Sequence, residues 1–248
     1  MKGERFDRLD ALRGAAIVWM AAFHFGFDLN YFGLLQPPHN FHRDPLWTNQ
    51  RVCIVSLFVF CAGLSQAVAL QAMNSLNSLN GMPCFPPAFW RRWAQVAGCA
   101  VLVSAGSALM FPRTWIYFGV LHGIAVMLIL CRLAAPLRAW LWPLGALCVV
   151  LPRMVKLQLF DHPALNWIGL VTRVPFTEDY VPVLPWLGVM LWGLAAGQWL
   201  LQHRRASLSA PLPAALRPLA MLGRWSLSFY MLHQPVLIGL LMAWKALR

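Results

Sequence analysis

The sequence predicts an all-α, polytopic integral membrane helix bundle of about seven transmembrane helices, forming one transmembrane domain over residues 1–248. Three observations predict the fold. The chain is 60% hydrophobic and 11% charged, where soluble domains carry about 25% charged residues. Its mean hydropathy is +0.60. Apolar runs of roughly the 20 residues that cross a bilayer recur between short basic loops.

The runs are 11–29, 51–73, 93–111, 115–134, 139–152, 184–202 and 219–244, the fifth being short. Pro112, Pro136, Pro152, Pro185 and Pro218 stand at run ends, where a residue that cannot continue a helix belongs. Eleven basic residues, Lys2 through Arg217, fall on one side of this alternation and eight, Arg43 through Arg248, on the other. That bias puts the N-terminus on the cytoplasmic side, with the first run retained as a span. The formal charge of +12 therefore reflects topology, and nucleic acid is not an expected partner. The outer segments 31–51 and 153–182 mix histidines, acids and aromatics, as loops that cap a cavity do. The inner tract NSLNSLNGMPCFPP (74–87) reads as a polar linker, and no larger repeat of the transporter kind occurs. Six cysteines form no CxxC pair and act as small hydrophobes.

The first run, LDALRGAAIVWMAAFHFGFDLN, keeps Arg13, His24 and Asp28, each costly in hydrocarbon. Asp10, Arg13, Ile17, Met20, His24 and Asp28 are spaced by three or four, so they fall within roughly 80° of one another on a helix. Arg13 and His24 then lie roughly 16 Å apart along the axis, the arginine near the inner surface and the histidine near mid-membrane. One shared polar face predicts a cavity or pore lined by ionisable groups. The bland alternative has Arg13 snorkelling inward and His24 bonded to Asp28 between packed helices.

Arg13, ten residues and then His24 resembles the opening of membrane acyltransferases. YFGVLHGIAVMLIL (117–130), EDYVPVLPWLGVMLWGLAAG (178–197) and LGRWSLSFYMLHQPVLIG (222–239) narrow the match: they resemble the bacterial relatives of heparan-alpha-glucosaminide N-acetyltransferase. The resemblance implies transfer of an acetyl group from acetyl-CoA to an amino sugar or cell-envelope glycan across the membrane. It also implies an active histidine in the outer loop, twenty-one residues before a glycine of the second span, and His42 stands that far before Gly63. The lysosomal enzyme has an asparagine in place of His24, which leaves the role open between His42 and His24.

Acetyl transfer needs a base, a donor for the oxyanion and cations for the CoA phosphates. Histidine suits the first role, His42 beside Asp44 or His24 beside Asp28. Arg13, Arg51, His122 and Arg224 are the candidates for CoA. His122 is one because it sits in the middle of the fourth run. Asp44, Trp47, Asp179, Tyr180 and His233 are the candidates for the acceptor. His233 shares a helix face with Ser226 and Tyr230, and could equally belong to a packing network. No P-loop and no HExxH occurs, and His39 and His42 lack further ligands, so no metal is expected. The remaining partners are membrane lipid and, as an open option, a second copy in a homodimer. A proton-coupled carrier using Asp28, His24 and His122 is the competing function.

Overall fold

A computed structural model describes residues 5–80 and 85–247, with the backbone alone for 74–80. Its helices are α1 Asp7–Tyr31, α2 Pro45–Asn80, α3 Pro87–Met110, α4 Val120–Ala134, α5 Leu141–Met154, α6 Val183–His203, α7 Arg205–Ser209, α8 Arg217–Arg224 and α9 Ser226–Ala246. No strand occurs among the described residues, which hold one isolated bridge, Phe118 to Tyr180.

Five segments among the described residues are long and apolar enough to cross a membrane: Pro45–Met73, Pro87–Met110, Val120–Met154, Val183–His203 and Ser226–Ala246. α3 and α9 leave Val101, Leu102, Leu109, Leu240 and Met242 exposed. Such rows of bare aliphatic side chains suit lipid and not water. The protein is an all-α membrane helix bundle.

Several run boundaries differ from the sequence expectation. α1 is 25 residues, long enough to span, but its charged residues keep it below the apolarity of the five segments. The runs 115–134 and 139–152 belong to one stretch, Val120–Met154. That stretch is not a straight helix, because Arg138 has φ 48° and reverses the chain. At one end, Gly123 of α4 meets Val181, just ahead of α6, and at the other Gln198 of α6 donates to the Ala135 carbonyl at 3.0 Å. α4 thus runs parallel to α6. α5 runs the other way, with Trp192 donating to the Trp142 carbonyl at 3.1 Å and Gly188 backed on Gly145. α4 and α5 are therefore the legs of a hairpin, each about 22 Å long. The run 219–244 is also two helices, α8 and α9, broken at Trp225. The tract read as a linker is partly helix: residues 74–80 end α2, and 81–84, Cys84 included, lie outside the described residues.

The chain forms two compact units. One comprises Val59–Ser207 together with Arg5; the other comprises Phe6–Phe58 and the chain from Leu208 onward. In the first, α6 is the hub: it packs along α4 and α5 with Met190, Leu191 and Leu194 buried, and its Gly193 and Met190 backbone lies against Phe60 and Gly63 of α2. In the second, α1 packs along α8 and α9 through Leu9, Ile17 and Met20. At the α1–α8 crossing, a Cβ on Gly14 would overlap the Leu219 carbonyl, and one on Gly223 would overlap the Asp10 carbonyl. The two backbones touch because neither residue has a side chain, the device that lets membrane helices pack closely.

Candidate active site

The polar face of α1 predicted from spacing is present, and it is covered within its own unit by α8 and α9. At its N-terminal end, Arg13 pairs with Asp10 at 2.8 Å and donates to the Gly223 carbonyl at 3.3 Å. Arg224, at the end of α8, pairs with Asp7 at 2.7 Å and Asp10 at 3.6 Å. The two candidate phosphate cations are thus neutralised by two aspartates. Further along, the rings of His24 and His233 meet with centroids 5.2 Å apart. One turn on, Gln234 donates from Nε2 to Asp28 Oδ1 at 2.8 Å. His233 Nδ1 lies 2.7 Å from the Tyr230 carbonyl, so Nδ1 carries a hydrogen, and a neutral ring leaves Nε2 without one. Asp28 Oδ2, Gln234 Oε1 and His233 Nε2 are buried with no hydrogen-bond partner among the described residues.

His42 lies in the turn between α1 and α2. Asn30 clamps this turn to the end of α1, donating to the His39 carbonyl at 3.0 Å and accepting from His39 N–H at 2.8 Å. Asn40 Oδ1 then accepts from the N–H groups of His42 and Arg43, at 3.2 and 3.1 Å. These bonds fix the backbone under an exposed imidazole, whose ring faces the edge of Phe27 at 6.1 Å. The turn and the end of α1 enclose a hollow of about 360 Å³, lined by Phe27, Asn30, Tyr31, Pro38, His39, Asn40, Phe41 and His42. Asp44 is occupied differently from its expected part in orienting His42: its Oδ1 accepts from Leu46 N–H at 2.9 Å and caps α2. Trp47 stacks on Phe41 at 4.0 Å, with its Nε1 buried and unpaired among the described residues. Arg51 is exposed in the second turn of α2.

The other unit holds His122, Asp179 and Tyr180. His122 is not mid-helix. Residues 115–119 are extended and pair with 177–181, through Glu178 N–H to the Thr114 carbonyl at 2.8 Å and Val181 N–H to the Phe118 carbonyl at 3.3 Å. α4 therefore begins at Val120, where Asp179 Oδ2 accepts the Val120 N–H at 2.8 Å. His122 is the third residue of that helix. Its Nδ1 accepts from Gly119 N–H at 3.3 Å, which leaves Nε2–H to donate to Ser104 at 3.2 Å. Ser104 passes its hydrogen to the Ile116 carbonyl at 2.6 Å. Tyr180 donates to the Asn166 carbonyl at 2.6 Å, and burial raises its phenol above the usual range, so it stays a donor. Asp179 thus holds the 153–182 loop against α4, Tyr180 ties that loop to itself, and His122 ties the start of α4 to α3.

Asp161 ties the far side of that loop, accepting from Thr172 Oγ1 at 2.5 Å, Thr172 N–H at 2.7 Å and Arg173 N–H at 3.2 Å. The Thr172 hydroxyl, followed by these backbone donors and the Arg173 charge, holds its carboxyl below the usual carboxylate range. A lowered value means the tie is complete above the ordinary value near ~4 and is lost as pH falls through the lowered one. Amide hydrogen exchange, corrected for intrinsic rate, is expected to show Thr172 protected at pH 7 and still at pH 4 and open below. In Asp161→Ala it is expected to be open throughout.

Sequence reasoning passed over Asn30, weighed His39 only as a metal ligand and missed the part played by Gln234. Asn30 and His39 had a signal, being polar residues flanking the Pro37–Pro38 turn. Gln234 had none, since Asp28 stands 206 residues away. No group of three or more histidine, cysteine or acidic residues that could hold a metal ion occurs among the described residues.

No curated protein and no solved structure matches the chain. The family described as Heparan-alpha-glucosaminide N-acetyltransferase, catalytic, matches residues 5–235. That match gives the carrier reading no support. Running from Arg5 to Pro235, it takes in α1 with its polar face, the His42 turn and α9 as far as Gln234, and on this ground the chain belongs to the heparan-alpha-glucosaminide N-acetyltransferase catalytic family, a family of membrane acetyltransferases.

Proposed function

We propose that the protein moves an acetyl group from acetyl-CoA to an amine or hydroxyl of an amino sugar or cell-envelope glycan. It works as a single domain in a bacterial inner membrane with its N-terminus in the cytoplasm. The observation that carries this reading is the family match over 5–235. The geometry supports it at one place, the hollow beside His42. An exposed imidazole on a backbone pinned by Asn30 and Asn40 can take the acceptor's proton while the acceptor nitrogen or oxygen attacks the thioester carbon. The C–S bond breaks, the acetyl carbon bonds to the acceptor, and the thiolate leaves as the thiol once protonated. Direct transfer needs no covalent enzyme intermediate and is the simpler course.

Within this reading Trp47 and Asp44 shape the wall behind His42 and do not touch the reacting atoms. Arg13 and Arg224 meet CoA phosphates only by exchanging Asp10 and Asp7, while Arg51 needs no such exchange with the carboxylates named here. The test is turnover by the purified full chain in lipid nanodiscs, with acetyl-CoA as donor and glucosamine as probe acceptor. Thiol release that depends on glucosamine, together with acetylated glucosamine by mass spectrometry, is the expected result. A folded protein that releases no thiol with glucosamine or with glycan fragments overturns the reading.

A further inference from the structure

Asp28 is 3% exposed, in the second half of a helix that crosses apolar surroundings, and nothing in the acetyl-transfer chemistry above uses it. Its contact with Gln234 is one-sided. Gln234 Nε2 donates to Asp28 Oδ1 at 2.8 Å, while Asp28 Oδ2 and Gln234 Oε1, the other atoms of the same two planar groups, are buried and unpaired. Turning the amide over does not help, because Nε2 would then donate to Oδ2 and set Oε1 against Oδ1, again leaving one donor bond and two idle oxygens. With Asp28 ionised, the two groups together present one donor bond and two idle lone-pair oxygens, each costing the full desolvation of an unsatisfied polar atom.

We propose that Asp28 is a protonated carboxylic acid at neutral pH, forming a reciprocal acid–amide pair with Gln234: Oδ2–H donates to Oε1 while Nε2–H donates to Oδ1. One hydrogen on Oδ2 satisfies both orphan oxygens at once. It also removes the charge, so α1 no longer carries a buried carboxylate in low dielectric.

The surroundings favour this form. The titratable groups beside the pair are His233, the residue before Gln234, and the two rings that touch it, His24 from α1 and Tyr230 from α9. His233 gives its only hydrogen to the Tyr230 carbonyl and offers the pair a bare Nε2, not a positive charge. The cations of the α1–α8 crossing are bound to Asp7 and Asp10, and Asp10 lies eighteen residues away, about 27 Å along α1. Lys245 stands eleven residues along α9 from Gln234, about 16 Å by backbone rise, and its ammonium lies over the Phe32 ring. Placing the proton on His233 instead would create two buried opposite charges, which good geometry alone would have to offset. The pair is therefore a buried, neutral lock between the first and last helices of its unit. Where the acetyltransferase reading holds, Asp28 is neither its base nor the carboxylate that orients His24.

The assignment stands apart from that reading, and infrared spectroscopy tests it without turnover. The full chain in nanodiscs at pH 7 is expected to show a protonated-carboxyl stretch that shifts in heavy water and is absent in Asp28→Asn. In Gln234→Leu the band is expected to move to higher frequency, since its oxygen partner is gone. Absence of the band in the wild type, or a band unchanged in both variants, overturns the proposal. So does nitrogen-15 resonance of His233 showing an imidazolium.

Thermal melts give a second readout. Asn at position 28 can donate and accept as the protonated acid does, so Asp28→Asn is expected to melt with the wild type, whereas Asp28→Leu melts earlier. Raising the pH strips the proton and is expected to lower the wild-type melting temperature while leaving Asp28→Asn level. An Asp28→Asn that melts as early as Asp28→Leu overturns the pair.

Discussion

His42→Ala is expected to lower acetyl transfer by about 10²–10⁴-fold, the range a positioned general base supplies, while leaving the melting temperature unchanged. The two halves of this result have separate causes. The activity loss follows from the proposed reading, in which the His42 imidazole takes the acceptor's proton at the mouth of the hollow. The unchanged stability follows from the structure. His42 is exposed, its ring has one edge contact with Phe27, and the hydrogen bonds that hold its turn are made by its backbone and by Asn40. A melt alongside the assay therefore separates lost chemistry from lost fold. If His42→Ala keeps full activity, the base lies elsewhere, and His24 is the histidine next in line. His24→Ala then reads differently, because removing a ring packed against His233 is expected to cost stability as well as rate. Glucosamine titrations sharpen the distinction: loss of a base lowers kcat, while loss of an acceptor contact raises KM.

What the sequence made legible follows from the cost of placing a group wrongly. Charged residues in an apolar run are expensive, so their spacing of three and four had to mean one shared face, and α1 shows that face turned onto α8 and α9. What covered the face was not legible. Arg13 reaches Gly223 and Gln234 reaches Asp28 across 210 and 206 residues, and no local pattern encodes such pairs. The expectation of an open polar cavity along α1 gives way, for this reason, to ion pairs at one end and a buried polar cluster at the other.

His122 was misplaced for a different reason. Trp115 to Phe118 are apolar enough to read as helix, yet bulky aromatic residues fit an extended segment equally well, and pairing with 177–181 decided the matter. Gly119 and the cap from Asp179 then start α4 later than hydropathy alone implies. The reversal at Arg138 was legible by contrast, since Pro136 and the basic residues Arg132 and Arg138 part the runs 115–134 and 139–152, where α4 and α5 are in fact separate legs.

Gly223→Val is expected to lower the melting temperature by about 2–12 °C, the equivalent of the 1–3 kcal/mol that overpacking a close contact costs. The new Cβ would overlap the Asp10 carbonyl and stand 2.9 Å from Gly14 N. Both obstacles are backbone, so no rotamer change relieves them, and α1 and α8 must move apart. Separation has consequences beyond the clash. It lengthens the bond from Arg13 to the Gly223 carbonyl and pulls Arg224 from Asp10, so the two aspartates and two arginines of the crossing lose their mutual neutralisation. Gly14→Val meets the Leu219 carbonyl from the other side of the same crossing and is expected to act alike. Because both variants break one contact, their combined effect should fall short of the sum. Gly98→Val and Gly239→Val provide the comparison: each glycine has nothing within 4 Å of its added carbon, so both are expected to melt close to the wild type. If Gly223→Val melts with those two, the helices do not meet at the glycines, and the ion pairs between α1 and α8 must hold the crossing on their own.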